Sequence, residues 1–310
     1  GTAVPSSNNT NLKTFGWELE LMWKDRLNNG LNYSARFTLA DSRTKITRYS
    51  NPSGLIDGFY AGKYVGEIWG YETIGIAQSD QEMAEHIGRL INGGQSNLGQ
   101  DWKAGDIMYK DLNEDGKIDA GSHTLQDHGD LKRIGNSTPR YNVGLELAAD
   151  WKGFDIRMFW QGTLKRDYFQ GSYYFWGANG RQGPWFSTAL KGHDDYFRND
   201  EASPLGTNLN SYYPRPLFNT DKNQQSQTKY LQDASYLRLK NLQIGYSLPH
   251  NIVQKMGMQH LRIFASGENL FTITSLIDFF DPESIEGGSW GHGNVYPLSR
   301  TFSFGLNVTF

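Results

Sequence analysis

Cysteine is absent from the 310 residues, so disulfides and thiolate metal sites are excluded. No apolar run approaches the roughly 18 residues that a membrane-spanning helix needs, so any membrane reading has to be a β-barrel. Positive charge is not in surplus: 30 Lys+Arg against 33 Asp+Glu gives a net charge of −3, which argues against a nucleic-acid partner. Catalytic signatures are missing as well. There is no His-Glu-x-x-His, no nucleophile elbow and no phosphate-binding glycine loop. His193-Asp194 and Asp127-His128 are neighbours in sequence, which is not triad geometry, and no enzyme is expected. The chain opens Gly1-Thr2-Ala3-Val4 without a signal peptide and ends on a strand of membrane character, which reads as a portion of something longer.

What the chain does have is alternation. In Thr301–Phe310, Phe302, Phe304, Leu306, Val308 and Phe310 alternate with small or polar residues, so one face of a strand is apolar and the other polar. The purity of the pattern and the terminal aromatic fit the closing strand of an outer-membrane β-barrel, with Phe310 at the membrane rim. The same pattern recurs in Phe15–Trp23, Leu31–Asp41, Pro139–Asp150 and Phe154–Thr163, with Phe159 the one exception. Trp17, Leu19, Leu21, Phe37, Leu39, Val143, Leu145, Ile156, Met158, Phe304, Leu306 and Val308 are expected to face lipid. Glu18, Glu20, Arg36, Glu146 and Arg157 would then face a lumen, although a charged second face suits a soluble exterior equally well. Trp23, Trp151 and Phe310 favour the membrane, because they fall at strand ends where interfacial girdles sit.

With Phe310 at the periplasmic rim, parity sets the direction of every other strand. Lys24–Gly30, Trp151–Gly153 and Pro249–His260 become short periplasmic connections; Ser50–Thr138, Leu164–Ser235 and Ile273–Pro297 become long extracellular loops. The expected fold is all-β: an antiparallel transmembrane barrel wall of about seven strands, too few and of the wrong parity to close alone. In Tyr236–Leu248 the apolar phase shifts between Leu239 and Leu242, which predicts a bulge near Lys240-Asn241. Ala61–Ile76 reads as additional β-structure, and Ser79 with Glu82 is a capping box that should start a short helix running to Leu90.

Two loop stretches carry chemistry. Asp111-Leu112-Asn113-Glu114-Asp115-Gly116-Lys117-Ile118-Asp119 fits most of a calcium loop: Asp111, Asn113, Asp115, the Lys117 carbonyl and Asp119 offer oxygen, and Gly116 makes the sharp turn. Ser122 stands where a bidentate acid belongs, and Asp106, Asp127 or Asp130 would have to replace it; the alternative is an Asx-rich turn that binds nothing. The second long loop sets Tyr173, Tyr174, Trp176 and Trp185 beside Arg181 and Gln182. Such a group suits sugar rings, which stack on aromatics while their hydroxyls bond to polar groups, or else it packs the loop onto its neighbours.

Several blocks, in order, resemble SusC/RagA-type TonB-dependent transporters: Gly105–Asp119, Ile134–Tyr141, Trp151–Asp155, Ser235–Leu242 with Gly245–Pro249, Asn269-Leu270-Phe271 and Asp281-Pro282-Glu283. The resemblance spans nearly the whole chain. It implies the C-terminal third of a 22-stranded outer-membrane barrel, an N-terminal plug that this chain lacks, a SusD-like surface lipoprotein and energy from the TonB-ExbB-ExbD complex. It also implies a glycan cargo, with peptides in some members. Ala120-Gly121-Ser122 departs from the pattern where acidic residues are common, which bears on the calcium expectation. Two other classes stay open: a passive diffusion channel, and a surface adhesin whose barrel only anchors it.

Overall fold

The computed structural model describes residues 8–178, 187, 189–286, 293 and 295–310. Its backbone is one antiparallel sheet of seven strands. The strands are β1 (Asn11–Arg26), β2 (Asn32–Arg48), β3 (Arg140–Trp151), β4 (Phe154–Lys165), β5 (Tyr236–Ser247), β6 (His260–Thr274) and β7 (Thr301–Thr309), paired in that order. Every neighbour pairing is antiparallel, as parity requires, and the sheet is open. The observed strands start and stop within a few residues of those expected from alternation.

Register carries the two faces across the whole sheet. Arg36 pairs with Glu146, Gly144 with Gln161, Arg157 with Gln243, and Ser266 with Ser303, which puts the polar residues on a single face. Leu19–Leu39–Val143 and Ile156–Ile244–Ala265–Phe304 run likewise across the other face. The shift in β5 lies between Leu239 and Asn241, against both neighbours, so the bulge sits where the phase change put it. It keeps Leu237, Leu239, Leu242 and Ile244 on the apolar face despite the extra residue.

Short turns fall on one end of the sheet. Between β3 and β4, Lys152 (φ 49°) and Gly153 (φ 88°) both take positive φ, as the favoured two-residue hairpin turn demands. A β-carbon on Gly153 would also stand 2.8 Å from the Ser247 carbonyl oxygen. The β1–β2 turn closes through the Gly30 N–H, which donates to the Leu27 carbonyl at 2.9 Å. The β5–β6 connection is longer and holds a short helix, His250–Val253, followed by a 3-10 turn, Gln254–Met256.

Long loops leave the other end, and they contain the buried core. Ile56, Ile107, Tyr109, Ile118, Phe175, Tyr230 and Ile285 are all fully buried there. Much of the sheet's apolar face is not: Ile244 and Phe271 are 49% and 53% exposed, although Leu239 is buried. A soluble sandwich buries its apolar sheet face against a second layer; here that face is uncovered and the core has moved to the loops. No helix among the described residues is long and apolar enough to cross a membrane.

The loops carry their own structure. Glu67–Gly70 pairs with Lys132–Asn136, Thr73–Ile76 with Ile107–Tyr109, and Asp167–Phe169 with Leu231–Asp233. The first two pairings supply the β-structure expected in Ala61–Ile76. Helix α1 (Asp80–Arg89) begins as its sequence dictates: the Ser79 side chain accepts the Glu82 N–H at 3.1 Å. Glu82 returns its carboxylate to the Gln78 N–H, one residue before the cap, and the helix stops at Arg89 with Leu90 as C-cap.

Candidate functional site

The polar face of β1–β4 is hollowed into a recess of about 840 Å³. Glu18, Arg36, Glu146, Phe159 and Gln161 line it, and Glu283 from the third long loop reaches its rim. Arg36 is the hub of the floor: its guanidinium meets Glu20 at 3.0 Å and Glu146 at 3.8 Å. The side chains are 42%, 50% and 55% exposed, so the charges are wet and available to solutes. Phe159, the exception to alternation on β4, places an aromatic ring among them. Facing charges, an amide and one ring suit a hydrophilic solute or a polar protein surface and do nothing for lipid.

Loops are tied to the rim of this recess by ion pairs. Arg238 on β5 is buried and holds Asp281 at 2.8 Å and Glu283 at 2.9 Å, while Lys240 meets Glu283 at 3.0 Å. The Asp281-Pro282-Glu283 block thus anchors the third loop to the wall. Asp106 does the same between the first and second loops. Its fully buried carboxylate accepts from Arg215 through both oxygens at 2.7 Å, from Lys222 at 2.8 Å and from Asn223 at 2.9 Å. Burial pushes the Asp106 carboxyl up, but hydrogen bonds from Arg215, Lys222, Asn223 and the Lys103 N–H outweigh it and hold the group below the usual carboxylate value. Neither node is visible in a local window, because the partners lie more than a hundred residues apart for Asp106 and more than forty for Arg238.

The expected aromatic platform is only partly assembled. Tyr173 and Tyr174 are half-buried, their rings tilted against one another at 4.4 Å. Trp176 is 6% exposed, with Tyr230 at 4.6 Å and Phe175 at 4.9 Å, so its ring belongs mainly to an aromatic core. One edge of it borders a second pocket of about 380 Å³, with His193, Tyr196, Tyr213 and Arg215. Arg181, Gln182 and Trp185 lie outside the described residues. His193 is structural: Nε2–H donates to the Tyr174 and Phe175 carbonyls at 3.0 and 3.1 Å, and Nδ1 accepts the Leu190 N–H at 2.9 Å. Burial lowers its pKa, and Asp194 is not its orienting partner.

In the calcium-like loop the oxygens turn inward on the backbone. Asp111 Oδ2 accepts the Gly116 N–H at 2.8 Å, Asn113 Oδ1 the Asp115 N–H at 3.2 Å, and Asp115 Oδ1 the Lys117 N–H at 3.1 Å. The Lys117 ammonium sits against Asp119 at 2.7 Å and Asp115 at 3.8 Å. Asp130, one of the acids able to complete the set, is spent on the Leu112 and Asp119 N–H groups at 2.7 and 2.9 Å. Among the described residues no group of three or more acidic or histidine side chains converges as a metal site. One observation points the other way: Asp111 Oδ1 is buried and accepts no hydrogen bond.

No family model matches the sequence. Curated relatives do. TonB-dependent receptor P3 of Formosa agariphila is 27% identical over 332 residues, which cover 100% of this chain and 30% of that protein. TonB-dependent receptor P26 of the same organism is 23% identical, over 96% of this chain and 29% of that protein. Among solved structures, the RagAB peptide transporter superposes with a TM-score of 0.67 at 21% identity, over 98% of this chain and 30% of that one. RagAB in its open-open state gives 0.60 at 20% identity. The chain thus spans about 30% of the length of the relatives that it matches. Along its whole length the chain is similar in sequence to TonB-dependent receptors, and its fold resembles the corresponding part of the RagAB transporter.

Proposed function

We propose that this chain forms wall strands and outer loops of an outer-membrane importer driven by TonB-ExbB-ExbD and working with a SusD-like lipoprotein lid. The observation that carries it is the division of the sheet: an uncovered apolar face that suits lipid, and a charged, hollowed face roofed by long loops. A water-filled passage of this kind leaks unless something fills it, and the charged floor around Arg36 is suited to a removable polar plug. The long loops offer the lid its contact surface.

The cargo we assign is an oligosaccharide, with Tyr173 and Tyr174 as the stacking residues that remain accessible and Trp176 as the wall of the adjoining pocket. A second reading, a peptide, has in its favour that the similar RagAB structures are peptide transporters. Uptake by cells that make the full-length protein, measured with matched pools of labelled oligosaccharides and oligopeptides, decides between them. Oligosaccharide uptake that falls about tenfold in a Tyr173→Ala/Tyr174→Ala variant supports the assignment, since each lost stacking contact is worth about 0.5–1.5 kcal/mol. Peptide uptake alone would replace it with the second reading.

We also propose that Asp111, Asn113, Asp115, the Lys117 carbonyl and Asp119 hold one calcium ion once the Lys117 ammonium swings off Asp119. The buried, unpartnered Asp111 oxygen supports this. The ion would staple a long loop. Calcium should slow protease cleavage of this loop in the full-length protein, and not in an Asp111→Asn variant. Equal cleavage rates with and without calcium would remove the proposal.

A further inference from the structure

The apolar face of the sheet ends at the long-loop side in a cluster of cations. Lys13 on β1 lies directly opposite Lys45 on β2, and Arg43 pairs with Phe15 one step below. All four share the outward face with Trp17, Leu19 and Leu21, since side chains alternate along each strand. Like charges placed opposite each other across two strands are destabilising unless something compensates them. Among the described residues none of the three cations has an acidic partner within ion-pair distance. The acid on this face of β2, Asp41, is already engaged by the Arg140 guanidinium. Partial compensation comes from the ring of Tyr64, which the first long loop brings to 4.5 Å from the Arg43 guanidinium and 5.6 Å from the Lys45 ammonium.

Lys13 and Lys45 border a hollow, with Arg43 behind its Tyr64 wall. A recess of about 530 Å³ is lined by Lys13, Phe15, Lys45, Thr47, Gly62 and Tyr64. Its lower edge is Phe15, with Trp17 beneath, both about half exposed at the top of the apolar band. Cations directly above an interfacial aromatic girdle, on the surface that meets lipid, sit at the depth of lipid headgroups. The short-turn rim is built differently. There Lys152 sits over the Trp151 ring at 4.6 Å.

We propose that Lys13, Arg43 and Lys45 form a binding site for the phosphorylated headgroup of an outer-leaflet glycolipid, with Tyr64 as its side wall. The lipid phosphate supplies the charge that the cross-strand Lys13–Lys45 pair lacks, and the acyl chains continue down over Phe15 and Trp17. This rests on the reading that the apolar face lies in an outer membrane. An occupied site pins the first long loop, through Tyr64, to the membrane surface.

The test uses the full-length protein that contains this chain, purified from outer membranes in mild detergent. Native mass spectrometry then follows exchange with phosphorylated lipid A and with its dephosphorylated form. Wild type should retain the phosphorylated lipid and release the dephosphorylated one. A Lys13→Gln/Arg43→Gln/Lys45→Gln variant should retain about a hundredfold less, as expected for three cations near an anionic lipid surface. A Lys152→Gln variant should match wild type. Equal retention of both lipids by wild type, or undiminished retention by the triple variant, overturns the site. Membrane fractionation of the same cells reads the underlying assumption separately: wild type absent from the outer membrane would overturn the barrel reading, and presence there without lipid retention would overturn only the site.

Discussion

Asp106 shows how much one side chain can hold in this molecule. It joins two long loops through Arg215, Lys222 and Asn223, and neither its own side chain nor that of Lys222 is reachable by water to any extent, at 0% and 1% exposure. Removing one partner of a buried ion pair costs about 3–5 kcal/mol, because the other charge is left stranded. An Asp106→Ala variant should therefore show fast proteolysis of both loops while the strand core stays resistant; unchanged loop cleavage would contradict the node. The acid dependence follows in sign. The carboxyl is held below its unfolded value of about 3.9, so its stabilisation is complete above about pH 4 and is lost as pH falls through the folded value. An Asp106→Asn variant should lose that part of the acid sensitivity.

At the scale of elements, alternation made the wall readable and long-range pairing did not. Each strand faces two different surroundings, so its residues sort by parity, and even the bulge at Lys240 registers as a slip in phase. The Ser79 cap is equally local, which is why α1 was expected in its place. The loops follow other rules. Trp176 looks from the sequence like a ligand-stacking residue, yet its ring packs mainly against Tyr230 and Phe175 and leaves one edge on the pocket. An aromatic stretch does not record whether its partner is cargo or another ring. Arg238 is similar: alternation puts it on the polar face, opposite Gln161, but only the distant Asp281 and Glu283 explain why it is buried there. The face assignment gives a sharp element-level prediction. Arginine at Leu145, on the outward face of β3, should cost about 2–4 kcal/mol and reduce assembled barrel. Arginine at Ser266, on the inward face of β6, should assemble normally. Heat-modifiable mobility of the full-length protein reports both, and the reverse result would exchange the two faces.

For the whole molecule, the features fit a wall with lipid on one side and water on the other. The sheet keeps an apolar surface uncovered, places charge and amide groups in a hollow on its other side, and spends its buried core on ordering loops at one end. A passive channel and a surface anchor would use the same outward face, so the wall alone does not separate them from an importer. Energy coupling does. Uptake of labelled oligomer by cells that make the full-length protein should therefore be measured with the TonB system intact and with it deleted. The importer reading predicts uptake against a gradient that collapses to background on deletion while the protein remains in the outer membrane; uptake that persists unchanged without TonB would contradict it.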